Sequence, residues 1–269
     1  MRSILVGLAV VLVSHLGVGQ NTTTLAMNAP RLFERGLNSL IGFGASHSER
    51  EALDYFHRSA DLGYAPAQVM MGYFYDTGTV ASQDRSQAAD WYKKAAQQDD
   101  ALGAWLLGRL IYSVEGPLRD LNEASRWLER AAAHDNPYGE YLLGQIRLER
   151  SDYVKASELF RKAAMQGLPQ AQQQLASLLK QGQGVKQDKF EAYVWLLVSL
   201  DAGNQAAAAD ARQLEGDFAT AQIEQAKNNA RDLEQTVTRA VVAHGCSGWP
   251  GEFNSIPTPP PPDIQSFCR

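Results

Sequence analysis

The chain has 269 residues, 45% of them hydrophobic and 9% aromatic, with 22 Gly and 11 Pro, which excludes a disordered or fibrous protein and fits one or two globular domains. Its 25 basic and 30 acidic residues are interspersed and leave a net charge of -5. No basic field exists to gather phosphates, so nucleic acid is not an expected partner.

The first segment, "MRSILVGLAVVLVSHLGVGQ", combines an early cation at Arg2, an apolar run over 4–13, and small residues at Gly17 and Gly19. That is the layout of a signal peptide over 1–19, cleaved after Gly19. The run is short of the roughly 20 apolar residues that a membrane span needs. No Cys follows it, so a lipid anchor is not expected. The expected destination is the periplasm or the exterior, with no transmembrane span after cleavage. Residues 20–47 then read as an N-terminal capping segment with one helix, "APRLFERGLNSLIGFG" at 29–44, covering the first repeat as a remnant second helix would.

From residue 48 to 215 the chain repeats itself. "EALDYFHRSADLG" (51–63), "QAADWYKKAAQQD" (87–99), "EASRWLERAAAHD" (123–135), "KASELFRKAAMQG" (155–167) and "EAYVWLLVSLDAG" (191–203) align without gaps. The heading alanines Ala52, Ala88, Ala124, Ala156 and Ala192 lie 36, 36, 32 and 36 residues apart. Such spacing marks stacked units, none of which buries its apolar face alone. Within the first helix of each copy, Ala52, Tyr55, Phe56, Ser59 and Ala60 fall at the i, i+3, i+4, i+7 and i+8 positions of an amphipathic stripe. Ala88, Trp91, Tyr92, Ala95 and Ala96 repeat it.

Punctuation recurs as well. Ser48, Asp84, Asp120, Asp152 and Asp188 stand where an N-cap belongs, each worth about 1 kcal/mol. Glu51, Gln87, Glu123 and Glu191 follow three residues later, the spacing of a capping box. Gly63, Gly167 and Gly203 mark the left-handed ends of the first helices, with Asp99 and Asp135 in the middle copies. The second helices contain Gly72, Gly108 and Gly144, each costing about 1 kcal/mol of helix propensity against Ala, a cost that close packing by a neighbouring helix would justify.

These motifs, with "AADWYKKAAQQ" at 88–98, "ASELFRKAAMQG" at 156–167 and "GQGV" at 182–185 before Asp188, resemble the Sel-1-like repeat, a relative of the tetratricopeptide repeat. The resemblance covers 48–215. It implies an all-α fold, an α-α superhelix (solenoid) of about five helix-turn-helix repeats with capping helices at both ends, the C-terminal one over 216–243. It also implies a non-enzymatic scaffold for protein–protein interactions in the cell envelope. Two departures stand out: the second copy lacks the G-x-G-V loop, and the third has lost four residues between Gly144 and Asp152.

The tail over 244–269 contains "PTPPPP" and cannot be helical there. It holds both cysteines, Cys246 and Cys268, which in an exported chain read as a disulfide. His244 with the two thiols makes three metal ligands without a fourth, so neither metal nor other cofactor is expected. One alternative to the scaffold is a periplasmic hydrolase or β-lactam-binding protein, because cysteine-rich exported relatives in the family are described that way and Ser177 and Lys180 have S-x-x-K spacing. No S-D-N or K-T-G accompanies them, and His47, His57 and His134 lack evident triad partners. For a partner protein or peptide, two columns of first-helix positions outside the stripe form the expected surface. One is Leu53, Ala89, Ser125, Ser157 and Tyr193; the other is His57, Lys93, Glu129, Arg161 and Leu197.

Overall fold

A computed structural model describes residues 19–41, 48–114 and 120–244, with side chains over 28–40, 48–114 and 120–237. The architecture is the expected all-α solenoid class, helix–turn–helix repeats with terminal capping helices, and the described residues contain no strand. The chain divides into two compact units, Met1–Gln98 and Asp99–Arg269. The first holds α1 (Gly19–Ile41), α2 (Glu49–Asp61), α3 (Ala65–Thr77) and α4 (Arg85–Gln97). The second holds α5 (Ala101–Tyr112), α6 (Leu121–Ala133), α7 (Pro137–Glu149), α8 (Tyr153–Met165), α9 (Pro169–Gln181) and α10 (Lys189–Asp201). A short 3₁₀ turn, α11 (Ala208–Glu215) and α12 (Thr220–His244) complete it.

In both units the closest packing joins a second helix to the first helix of the next copy: α1 with α2, α3 with α4, α5 with α6, α7 with α8, and α9 with α10. The helix glycines explain this. A Cβ on Gly72 would lie 2.5 Å from the Tyr92 ring, one on Gly108 2.7 Å from Leu128, and one on Gly144 2.7 Å from Phe160. Gly36 of α1 repeats the contact against Phe56 at 2.8 Å, so α1 packs as a second helix does. Removing one side chain from each pair lets the large residue opposite enter fully. Tyr92, Leu128, Phe160 and Phe56 are all buried, each apolar side chain of this size contributing about 1.5–3 kcal/mol.

The five expected N-caps are in place. The side chains of Ser48, Asp84, Asp120, Asp152 and Asp188 accept backbone N–H groups of the first turns of α2, α4, α6, α8 and α10. The reciprocal half of the capping box fails where the cap N–H is taken by the preceding helix. Ser48 N donates to Ser39 O, Asp84 N to Tyr75 O and Asp188 N to Leu179 O, at 2.8–3.0 Å. Gln87 Nε2 instead reaches the Asp84 carboxylate at 3.0 Å. Asp99 and Asp135 adopt the left-handed conformation at φ 67° and 54°, as Gly63, Gly167 and Gly203 do. The shortened third copy closes over 150–152, where Ser151 turns left-handed at φ 59°. In the longer loop after α9, Gly184 (φ +70°) passes so close to the Tyr153 backbone that any Cβ would collide with it.

α1 covers α2 through Phe33, which meets Phe56 and Tyr64 edge-on at 5.4 Å. In the second unit α12 lies on α10 and buries Ala226 and Ala230. Residues 1–18 of the signal peptide expected over 1–19, the 42–47 stretch with His47, and the tail with Cys246 and Cys268 lie outside the described residues. No described helix is long and apolar enough to cross a membrane.

Candidate functional site

The two candidate columns differ in exposure. In the first unit, Leu53 and Ala89 are half-buried while His57 and Lys93 are exposed. His57 places Nδ1 3.0 Å from the Asp61 carboxylate and sets its ring edge-on to Trp91 at 5.7 Å. Lys94 stands 3.6 Å over the same indole, so a cation and an imidazole flank one aromatic ring.

In the second unit the expectation needs correcting. Ser125, Ser157 and Tyr193 are buried and present no surface to a partner. Ser125 Oγ donates to Leu121 O and Ser157 Oγ to Val154 O, each a hydroxyl turned back on its own helix. Tyr193 is 1% exposed beneath the end cap, its ring 5.7 Å from Phe218. Burial pushes its phenol up, and the neighbouring Glu215 adds to the shift. Glu129 and Arg161 are engaged in ion pairs between helices. Arg147 donates to Glu129 at 2.7 Å, and Arg161 donates to Glu191 at 2.7 Å, where the Trp195 indole N–H also arrives at 3.2 Å. Leu197 is half-buried.

The Ser177–Lys180 pair is not assembled for nucleophilic chemistry. Ser177 Oγ accepts from Gln181 Nε2 at 2.9 Å, while Lys180 Nζ donates to Asp210 at 2.6 Å and to Gln213 at 3.3 Å. An ammonium held on a carboxylate one helix away cannot take the serine proton. His57–Asp61 and His134–Asp99 (3.1 Å) are carboxylate–imidazole pairs on exposed surface. Among the described residues, no three His, Cys, Asp or Glu side chains converge as metal ligands would.

The structure adds features on the second helices. Trp105 stacks on Tyr138 at 4.8 Å, and Tyr141, at the position equivalent to Trp105, accepts from Gln145 Nε2 at 2.9 Å. Glu140 is 1% exposed and accepts from Gln166 Nε2 at 2.7 Å. Burial pushes its carboxyl up to about 7, with Asp135 adding to the shift and Lys162 opposing it. Two of the equivalent positions carry glutamines, the third being Ala104: Gln68 donates Nε2 to Ala60 O at 3.1 Å, and Gln172 donates to Ala164 O at 3.2 Å. A glutamate substituting for a buried amide was the available signal in the sequence.

Comparison with known proteins agrees with this geometry. The Sel1 repeat model matches five consecutive stretches, residues 32–64, 65–100, 101–136, 138–168 and 169–204, together more than half of the chain. Each matched stretch pairs a second helix with the following first helix, the pairing seen in the packing. Among solved structures, c5321, a protective antigen of uropathogenic Escherichia coli with an SLR fold, is 26% identical with a TM-score of 0.73. The alignment covers 81% of this chain but 48% of that one, so the chain spans about half its length. A Sel1 repeat protein from Oxalobacter formigenes is 25% identical over 76% of this chain and 88% of its own, with a TM-score of 0.62. No curated protein sequence matches significantly. Arrays of this kind generally act as scaffolds for protein–protein interaction, and with five matching copies in register the chain belongs to the Sel1 repeat family.

Proposed function

We propose that the protein is an exported adaptor that holds protein segments together in the cell envelope. The observation that supports this best is the use to which the array puts its polar groups. Arg161, Lys180 and Glu129 join helix to helix, while His57 and Lys94 flank Trp91 and Lys93 stands exposed beside them on α4. That is a surface for contact and not a centre for chemistry. The apolar run over 4–13 and the likeness to a protective antigen support an exported location.

The test is affinity capture from envelope preparations with the full-length, tagged chain. Partners retained by the wild type and by Ser177→Ala, but weakened by Lys93→Glu, support the adaptor. Capture indifferent to Lys93→Glu, or retention of the chain in the cytoplasm of its host after expression, contradicts it.

A further inference from the structure

A second surface lies in the first unit, between α1 and the end of α2, where a cavity of about 460 Å³ is lined by Asn28, Arg31, Leu32, Arg35, Arg58, Asp61 and Leu62. Residues 28, 31, 32 and 35 form one face of α1 at i, i+3, i+4 and i+7, and 58, 61 and 62 close the last turn of α2. The volume lies within the roughly 300–1,000 Å³ of ligand pockets.

Its charge runs against the rest of the chain. Three guanidinium groups meet one carboxylate in a protein of net charge -5. Arg58 has a loose contact with Asp54 at 3.4 Å, and Asp61 is held by His57. Among the described residues, no hydrogen bond or ion pair engages Arg31 or Arg35. Two unpaired cations one turn apart repel each other by a few tenths of a kcal/mol, and nothing in the fold of α1 requires them.

We propose that this cleft binds an acidic peptide segment of a partner protein. Guanidinium forks take carboxylates in paired hydrogen bonds, so Arg31, Arg35 and Arg58 recognise neighbouring Asp or Glu side chains. Asp61 retains acceptor capacity for a peptide N–H, and Leu32 and Leu62 accept an apolar side chain between the acidic ones. A phosphate cluster would use the arginines alone and meet repulsion from Asp61, so the mixed lining favours peptide. The proposal rests on the adaptor reading and names the chemistry of one partner.

The probe is a fluorescent octapeptide alternating glutamate and leucine, read by anisotropy against the full chain, with a lysine–leucine octapeptide and inorganic triphosphate as comparisons. The double variant Arg31→Glu/Arg35→Glu is expected to weaken binding about tenfold or more. Lys227→Glu, an exposed charge change elsewhere, leaves it unchanged. Because Arg31 and Arg35 are exposed, the double variant keeps the wild-type melting curve; Arg35→Gln supplies a milder second reading. Undiminished binding by both variants, equal binding of the lysine peptide, or displacement by triphosphate as readily as by unlabelled peptide overturns the proposal. Since the capture experiment reads Lys93 on α4 and this one reads α1, a failure of the cleft is distinguishable from a failure of the adaptor reading.

Discussion

Replacing Glu140 by Gln should change how stability depends on pH. The carboxyl is 1% exposed and its pKa is raised from 4.5 to about 7, so the folded state holds a proton that the unfolded chain releases. Stability from this group is therefore fully present below pH 4.5 and is lost as pH rises through 7. A shift of that size corresponds to at most about 3 kcal/mol at 1.36 kcal/mol per pH unit. The amide of Glu140→Gln cannot ionise. Its oxygen can keep the Gln166 bond, and its NH₂ can donate as Gln68 and Gln172 do to the carbonyl eight residues earlier. Melting curves by circular dichroism at pH 4.5, 6, 7 and 8 should nearly coincide at the acid end. At pH 8 the variant should melt higher by about 6–12 °C, at roughly 2–4 °C per kcal/mol for a chain of this size. The difference between the two sets of curves reads the Glu140 carboxyl together with its coupling to Asp135 and Lys162. Parallel curves across the whole range would refute the reasoning.

Gly72→Ala should lower the melting temperature, because overpacking against Tyr92 costs about 1–3 kcal/mol and outweighs a propensity gain of about 1 kcal/mol; a rise would mean that Tyr92 can withdraw. Asp188→Ala should cost about 1 kcal/mol in urea denaturation through loss of the bond to Glu191 N, and an unchanged midpoint would remove the cap from the account. Arg161→Glu should destabilise by about 0.5–1 kcal/mol, since both partners are more than a third exposed and screened by solvent. The swap Arg161→Glu/Glu191→Arg should recover most of that loss, whereas a recognition residue would lose capture at constant stability. Ser177 should remain unlabelled by a fluorescent penicillin under conditions that label a penicillin-binding protein in the same mixture, and labelling would revive the hydrolase.

The periodic positions were legible because they answer to one helix at a time. A 3.6-residue stripe placed Phe56, Tyr92, Leu128 and Phe160 in the core, and short polar residues at 48, 84, 120, 152 and 188 made the caps. Even the less comfortable Asp99 and Asp135 took the left-handed turn expected of them. The candidate surface was less legible because exposure outside the stripe depends on what the next helix covers. Tyr193 occupies the same register as Leu53, yet it lies under Phe218 of the end cap. The arginines at 31 and 35 carried a readable i, i+4 signal, but their cleft needs the end of α2 opposite, and periodicity does not supply that neighbour.

One separation recurs among the polar residues that join helices, Arg161 and Lys180 among them. Ser59 donates to Ala29 O, Gln98 to Gln68, Arg161 to Glu191, Lys180 to Asp210 and Ser199 to Pro169 O, and every one of these bonds spans 30 residues. Thirty is six short of the common repeat, so such a bond joins a side chain to a neighbouring copy at a position six residues from its own equivalent there. Groups at that offset act as joints between helices whatever their chemical type, which is why Lys180 and Arg161, both weighed as site residues, share one structural role with Ser59, Gln98 and Ser199. A residue free to recognise a partner must be both outside the core stripe and outside this 30-residue partnership. Lys93, Arg31 and Arg35 meet both conditions, and they are the residues on which the functional readings rest.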